Sequence, residues 1–214
     1  MFFGVDLTQE RRSTARARVA DEAATLLYAR QEKEYKQAKL KAAKILGIRI
    51  MPSNADVAEA LDKLADEREG EDRKKELVTM RMEALLMMKT LRKMQPVLTG
   101  SVWRGTARRG SDIDITVFSD NQEKVQTVLE EGGYKITKTE FQTVTKHGIK
   151  LETFHIHLFL KSNHEAEIIV RGLQRIHMKE PCEIYGDAQT GLTIEQLELV
   201  LRTNPTQKFT PNSA

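Results

Sequence analysis

The hydrophobic pattern of the chain changes character near Pro96. Before it, apolar residues recur at spacings of three and four, the period of an amphipathic helix. This predicts a first helix over residues 7–46, with Val19, Ala23, Leu26, Leu27, Ala38 and Ala42 among its apolar positions and Gly47 as its stop. Its middle, Arg30 to Lys41, is mostly polar. Ser53 and Asp56 form a capping pair for a second helix carrying Val57, Leu61 and Leu64. The charged stretch from Asp66 to Lys75, broken by Gly70, reads as a hinge. A third helix is predicted over 71–95, where Leu77, Met80, Ala84, Met87, Leu91 and Met94 mark one face. A methionine stripe of this kind reads as core rather than as a ligand surface.

Beyond Pro96, short β-branched runs and glycines replace the helical period. Strands are predicted at Val97–Thr99 and Asp112–Phe118, with a helix at 121–131. Two extended runs, 135–146 and 149–160, then flank His147-Gly148 as a hairpin turn. Helical spacing is read again at Ile169, Val170, Leu173 and Ile176 and over 192–201, and the tail from Asn204 reads as loose. The expected fold class is α+β. It comprises a helical N-terminal region (1–70), a small mixed β-sheet core with flanking helices (71–160) and a C-terminal helical segment (161–214).

Composition changes this picture little. Aromatics make up 6% of the chain, so the core must lean on aliphatic side chains and methionine. A formal charge of +3 permits a polyanionic partner without requiring one. The single cysteine, Cys182, excludes an internal disulfide framework and fits a reducing compartment. No apolar run approaches the roughly 18 residues of a membrane span, and the N-terminal stretch does not read as a signal peptide. A cytoplasmic location without membrane association is the expectation.

The chemistry concentrates between Leu98 and Ile115. A strand ending in Gly100-Ser101 lets backbone amides approach a phosphate closely, because glycine brings no Cβ. Ser101 can donate a hydrogen bond to the same anion. Arg104, Arg108 and Ser111 in the following loop are the further phosphate-binding candidates, with Arg109 beside them. On a strand, Asp112 and Asp114 share one face while Ile113 and Ile115 share the other. Two adjacent carboxylates repel unless a cation lies between them, and hard oxygen donors suit Mg²⁺ or Mn²⁺. A third carboxylate is expected to complete the set. Glu152 is the candidate if Ile149 and Leu151 face the core and a bulge follows it; Glu140 is the alternative.

These residues resemble the nucleotidyltransferase superfamily that includes DNA polymerase β, the CCA-adding enzymes and the minimal nucleotidyltransferases. The family signature is Gly-Ser or Gly-Gly, about ten intervening residues, then two carboxylates one residue apart. Gly100-Ser101 and Asp112-Ile113-Asp114 match it, and Gly100 to Gly105 resembles the minimal enzymes' Gly-Ser-x-Ala-Arg-Gly, with Trp103 in place of the small residue. The family's third carboxylate aligns with Glu152 in the run Gly148-Ile149-Lys150-Leu151-Glu152. The resemblance implies a metal-dependent enzyme that moves a nucleoside monophosphate from an NTP, ATP or CTP, to a hydroxyl on RNA, protein or a small molecule. Asp112, Asp114 and Glu152 would hold metal and catalyse; Gly100, Ser101, Arg104, Arg108 and Ser111 would bind phosphate. A non-catalytic nucleotide-binding or regulatory module is the alternative, and the N-terminal helices offer a homodimer surface. His155 and His157 read as cleft-margin or solvent residues, and Trp103 and Cys182 as packing residues.

Overall fold

A computed structural model describes residues 7–146 and 149–211, with the side chains of 12–143 and 152–211. The predicted turn at His147-Gly148 lies outside the described residues. The chain divides into two compact units: the residues up to Gly70 with Cys182–Gly186, and Glu71–Pro181 with Asp187 onward.

In the first unit, helices α1 (Leu7–Tyr28) and α2 (Tyr35–Leu46) replace the single helix expected over 7–46. The stretch 29–34 has no large apolar residue to continue the buried stripe. There the chain turns, with Arg30 in the left-handed region at φ 54°. Val19, Ala23, Leu26 and Leu27 of α1 pack with Ala38, Ala42 and Val57. The small alanines permit close approach of the two helices. Helix α3 (Asn54–Thr90) starts at a reciprocal cap in which Ser53 Oγ accepts from Asp56 N–H at 3.0 Å and Ser53 N–H donates to Asp56 Oδ2 at 2.8 Å. It is interrupted at Gly70, whose φ of 58° and ψ of −134° suit only a residue without a side chain.

The second unit is built on a mixed five-stranded sheet. Its strands are β1 (Val97–Thr99), β2 (Ile113–Phe118), β3 (Ile136–Lys146), β4 (Ile149–Phe159) and β5 (Glu165–Arg171), in the order β1-β2-β5-β4-β3. Strands β2 and β5 are parallel and every other pair is antiparallel. A short helix α4 (Gly100–Arg104) joins β1 to the loop before β2, while α5 (Gln122–Glu131) follows β2 and α6 (Ile194–Thr203) closes the chain. One sheet face, formed by Ile113, Ile115, Val117, Ile156, Ile168 and Val170, is buried against Met80, Met87, Met88 and Leu91 of α3. Truncating one of these methionines to alanine would cost about 2–5 kcal/mol.

Three sequence expectations need correction here. Ile169 and Val170, read as helical with Leu173 and Ile176, lie in strand β5, whose Ala166, Ile168 and Val170 face the core. Residues 161–214 therefore contribute β5 and α6 to the same core as the sheet. Residues 205–209 of the tail, read as loose, are held in place. Arg81, fully buried, donates to the carbonyls of Pro205 at 2.7 Å and Gln207 at 2.8 Å as well as to Val102 and Trp103. Phe209 N–H donates to Arg104 O at 2.9 Å.

Candidate active site

The opposite sheet face carries the polar residues. On β2 the core side chains alternate with Asp114, Thr116 and Phe118, and Asp112 immediately precedes the strand. The antiparallel register sets Thr99 opposite Asp114, so the chain turns at Gly100 directly over that carboxylate. Gly100 has φ +67°, and a Cβ at this position would meet Asp114 Oδ2 at 1.9 Å. Only glycine allows this approach. Ser101, half-exposed, follows at the start of α4.

The parallel register sets Glu167 of β5 opposite Asp114, and the β4 register sets His157 opposite Glu167. Burial, then the charges of Glu167 and Asp112, push the Asp114 carboxyl up to about 7. Asp112, Asp114 and Glu167 thus form the carboxylate cluster. His155, almost fully buried, bonds Glu167 Oε1 through Nδ1 at 2.7 Å and lies 2.7 Å from Thr153 Oγ1 through Nε2. With Glu167 ionised, Nδ1 carries the proton and Thr153 donates to Nε2. His157 Nε2 lies 3.1 Å from Glu140 and 3.7 Å from Glu167. A short bond to Lys138, then one to His157, holds the Glu140 carboxyl below its usual range.

Residues 83–173 match the family model of the nucleotidyltransferase domain, a stretch that contains all five strands, Gly100-Ser101 and the three carboxylates. Over this stretch the chain is similar to a nucleotidyltransferase domain. No curated protein matches it. Among solved structures, it is similar to a cytoplasmic RNA terminal U-transferase, with 16% identity and TM-score 0.29 over 55% of this chain and 34% of that one. It is also similar to Cid1, described for RNA terminal uridylyl transferase activity, with 15% identity and TM-score 0.33 over 55% of this chain and 37% of that one. A third is the Cid1 poly(U) polymerase with MgGTP bound, with 19% identity and TM-score 0.29 over 51% of this chain and 37% of that one. The chain spans about a third of the length of these structures.

The geometry departs from the sequence expectation at two residues. Glu152 lies on the face opposite to the carboxylate cluster, because the β3–β4 register runs without a shift from Ile149 through His157 and sets Glu152 opposite Thr143. The expected bulge is absent from this stretch. Glu152 is exposed, on the part of the β3–β4 hairpin that runs past the end of β5 pairing at Phe154. It stands five residues from His157, the partner of Glu167, or about 17 Å along the strand. Glu140 shares the correct face but sits on β3, with β5 and β4 between it and β2. Glu167 is the carboxylate that sequence reasoning missed; its signal was the alternation of Ala166, Ile168 and Val170.

Arg104 is the second departure. Its guanidinium is buried, bonds both oxygens of Asp187 at 2.6 and 2.8 Å, donates to Phe209 O at 2.7 Å and stacks over Trp103 at 4.2 Å. That arrangement ties the C-terminal residues to α4 and commits the side chain to structure. Trp103 and Cys182 are buried, as expected. Arg108 is half-exposed, and Ser111 Oγ accepts from Arg108 N–H at 3.0 Å, closing the turn that leads into Asp112. Arg109 is exposed beside them.

The donor set fits a divalent cation by charge and chemistry. It offers hard oxygen ligands only, and it raises Asp114 toward neutrality where a cation would restore the carboxylate. Among the described residues, no three Asp, Glu, His or Cys side chains are drawn around one point as a finished metal cage.

Proposed function

We propose that the domain transfers a nucleoside monophosphate from an NTP to a hydroxyl acceptor, with Asp112, Asp114 and Glu167 holding Mg²⁺ or Mn²⁺. The observation that carries this reading is the convergence of Gly100 and Glu167 on Asp114, whose carboxyl is raised to about 7 by burial and its two acidic neighbours. The bound cation would supply charge neutralisation at the phosphates and lower the pKa of the attacking hydroxyl. The Gly100-Ser101 turn would hold the β- and γ-phosphates through backbone amides and the Ser101 hydroxyl, with Arg108 at the loop margin. Ser111 supports that loop by closing its turn.

Glu167, oriented by His155, would take the acceptor's proton. The acceptor oxygen then forms a bond to the α-phosphorus as the bond to the β-phosphate's bridging oxygen breaks, and pyrophosphate leaves. Positioning by the Gly100 turn and the sheet supplies the alignment that such a displacement needs. The nucleotide and acceptor are open within this reading: ATP or CTP as donor; RNA, protein or a small molecule as acceptor. Among the described residues, no helix is long and apolar enough to cross a membrane.

The test is incubation of the protein with Mg²⁺, each α-labelled NTP and total RNA or cell lysate. Label transfer is expected from at least one NTP and is expected to disappear in Asp112→Ala/Asp114→Ala. Transfer that persists in the double variant contradicts the site. Intact NTP binding without transfer to any acceptor favours the regulatory module instead.

A further inference from the structure

Continuing along the carboxylate face, the sheet floors a cavity of about 580 Å³. This is within the size range of small-ligand sites. Val97, Thr99, Thr116, Phe118, Ile169 and Arg171 form its floor, and segments 176–180 and 189–196 supply walls, including His177, Lys179, Gln189 and Gln196. The register orders this floor. Thr116 pairs with Ile169 and Phe118 with Arg171, one and two steps beyond the Asp114–Glu167 pair on the same face. At about 3.3 Å per residue, Thr116 begins about 7 Å from Asp114 and Arg171 stands about 13 Å beyond Glu167. The cavity floor therefore begins one alternation beyond the Asp114–Glu167 pair and reaches a guanidinium at the other end.

That far end is short of negative charge. Arg171 and Arg175 share one carboxylate, Glu180; Arg171 Nη1 is 3.4 Å from it, and Arg175 bonds it closely. Arg175 is more than nine-tenths buried. Among the described residues, Arg171 Nε, Arg175 Nε and Arg175 Nη1 are buried without hydrogen-bond partners. Buried guanidinium donors without acceptors are costly, and an anion held against Arg171, the one of the two that lines the cavity, would offset the excess positive charge. Asp120 is engaged elsewhere, accepting from Leu173 N–H at 3.0 Å. Burial, with Arg175 adding repulsion against Glu180's attraction, holds the Arg171 guanidinium below its usual range. Lys179 adds a positive charge where it lines the cavity, and the His177 side chain lies beside it in the lining.

We infer that this cavity is the acceptor subsite, and that Arg171 with Lys179 binds a phosphate of an acceptor whose free hydroxyl reaches Glu167. The inference rests on the transferase reading for the hydroxyl, whereas the phosphate subsite stands on the cavity and the Arg171–Arg175–Glu180 imbalance alone. Two sources share this chemistry: the terminal phosphodiesters of an RNA 3′ end and a phosphorylated small molecule.

The experiment separates these sources and separates this inference from the transferase reading. Isothermal titration is run without divalent cation, using 5′-AMP, adenosine and a short oligoadenylate with a free 3′-hydroxyl. Wild type is expected to bind at least one phosphate-bearing probe roughly 10- to 100-fold more tightly than Arg171→Gln does, with adenosine unaffected by the substitution. Lys179→Gln, at an exposed position, is expected to weaken the same probe by a smaller factor, which keeps the test valid if Arg171→Gln fails to fold. Preference for the oligoadenylate assigns an RNA end, and preference for 5′-AMP assigns a small acceptor. Equal binding of every probe by wild type and both variants overturns the subsite. Phosphate-dependent binding in a protein that transfers no label supports the subsite while sinking the transferase reading. In an active protein, Arg171→Gln is expected to raise the acceptor KM at least tenfold with the NTP KM unchanged.

Discussion

Asp114→Asn separates the cost of the carboxylate cluster from its use. In the folded state the Asp114 carboxyl is raised from 3.8 to about 7 by burial, Glu167 and Asp112. A raised carboxyl stabilises the fold while protonated. That contribution is present below about pH 4 and is lost as pH climbs from there through about 7. A shift of about three units at 1.36 kcal/mol each sets an upper bound of about 4 kcal/mol, and solvent at this half-exposed position reduces it to about 2 kcal/mol. Urea unfolding across pH 5–8.5 in EDTA is the assay. Wild type should lose about 1 kcal/mol or more over that range relative to Asp114→Asn, and Asp114→Asn should be the more stable protein at pH 8. His164 also titrates in this window, but it is present in both proteins and cancels in the difference. Millimolar Mg²⁺ should recover wild type and leave Asp114→Asn unchanged. Parallel pH profiles for the two proteins, or equal stabilisation of both by Mg²⁺, would refute the electrostatic account of the site.

Three further outcomes are expected. Gly100→Ala drives a methyl group into Asp114 Oδ2 at a positive φ, so it should abolish label transfer and the stabilisation by Mg²⁺, read by activity and thermal melting. Arg104→Met breaks the buried pair with Asp187 and should cost about 3–5 kcal/mol in urea unfolding, yet leave the NTP KM unchanged below the melting temperature. His164 bonds Glu83 and Glu76 of α3 at 2.5 Å each; burial opposes its protonation, but the two glutamates outweigh burial and hold it above its usual range. Its contribution is complete below about pH 6.5 and fades as pH rises through the raised folded value, so His164→Gln should cost about 1–3 kcal/mol at pH 6 and less at pH 9.

Local patterns made some of this molecule readable and long-range partners hid the rest. The methionine stripe of α3, the Ser53–Asp56 cap and the Asp112-Ile113-Asp114 alternation are each decided within a few residues, and each appears where periodicity put it. Strand β5 was obscured because Ile169 adds an apolar residue to the polar face, which turns a clean alternation into a continuous run from Ile168 to Val170. Missing that strand meant missing Glu167. Arg104 reads as a phosphate ligand from its sequence neighbours, whereas its partner Asp187 lies 83 positions away. The tail lacks any apolar period, and what holds it is a set of carbonyl bonds to Arg81 that no local pattern encodes. The break between α1 and α2 falls at the start of the polar stretch 30–41, which lacks the glycine or proline that would mark it as a turn.

In the proposed site Glu167, and not Glu152, completes the carboxylate set. Label transfer from an α-labelled NTP, measured side by side for wild type, Glu167→Gln and Glu152→Gln, tests it most directly. Glu167→Gln is expected to lose at least about 100-fold in rate, and Glu152→Gln to stay within about twofold of wild type. The reverse pattern, with Glu152→Gln inactive and Glu167→Gln active, would contradict the account.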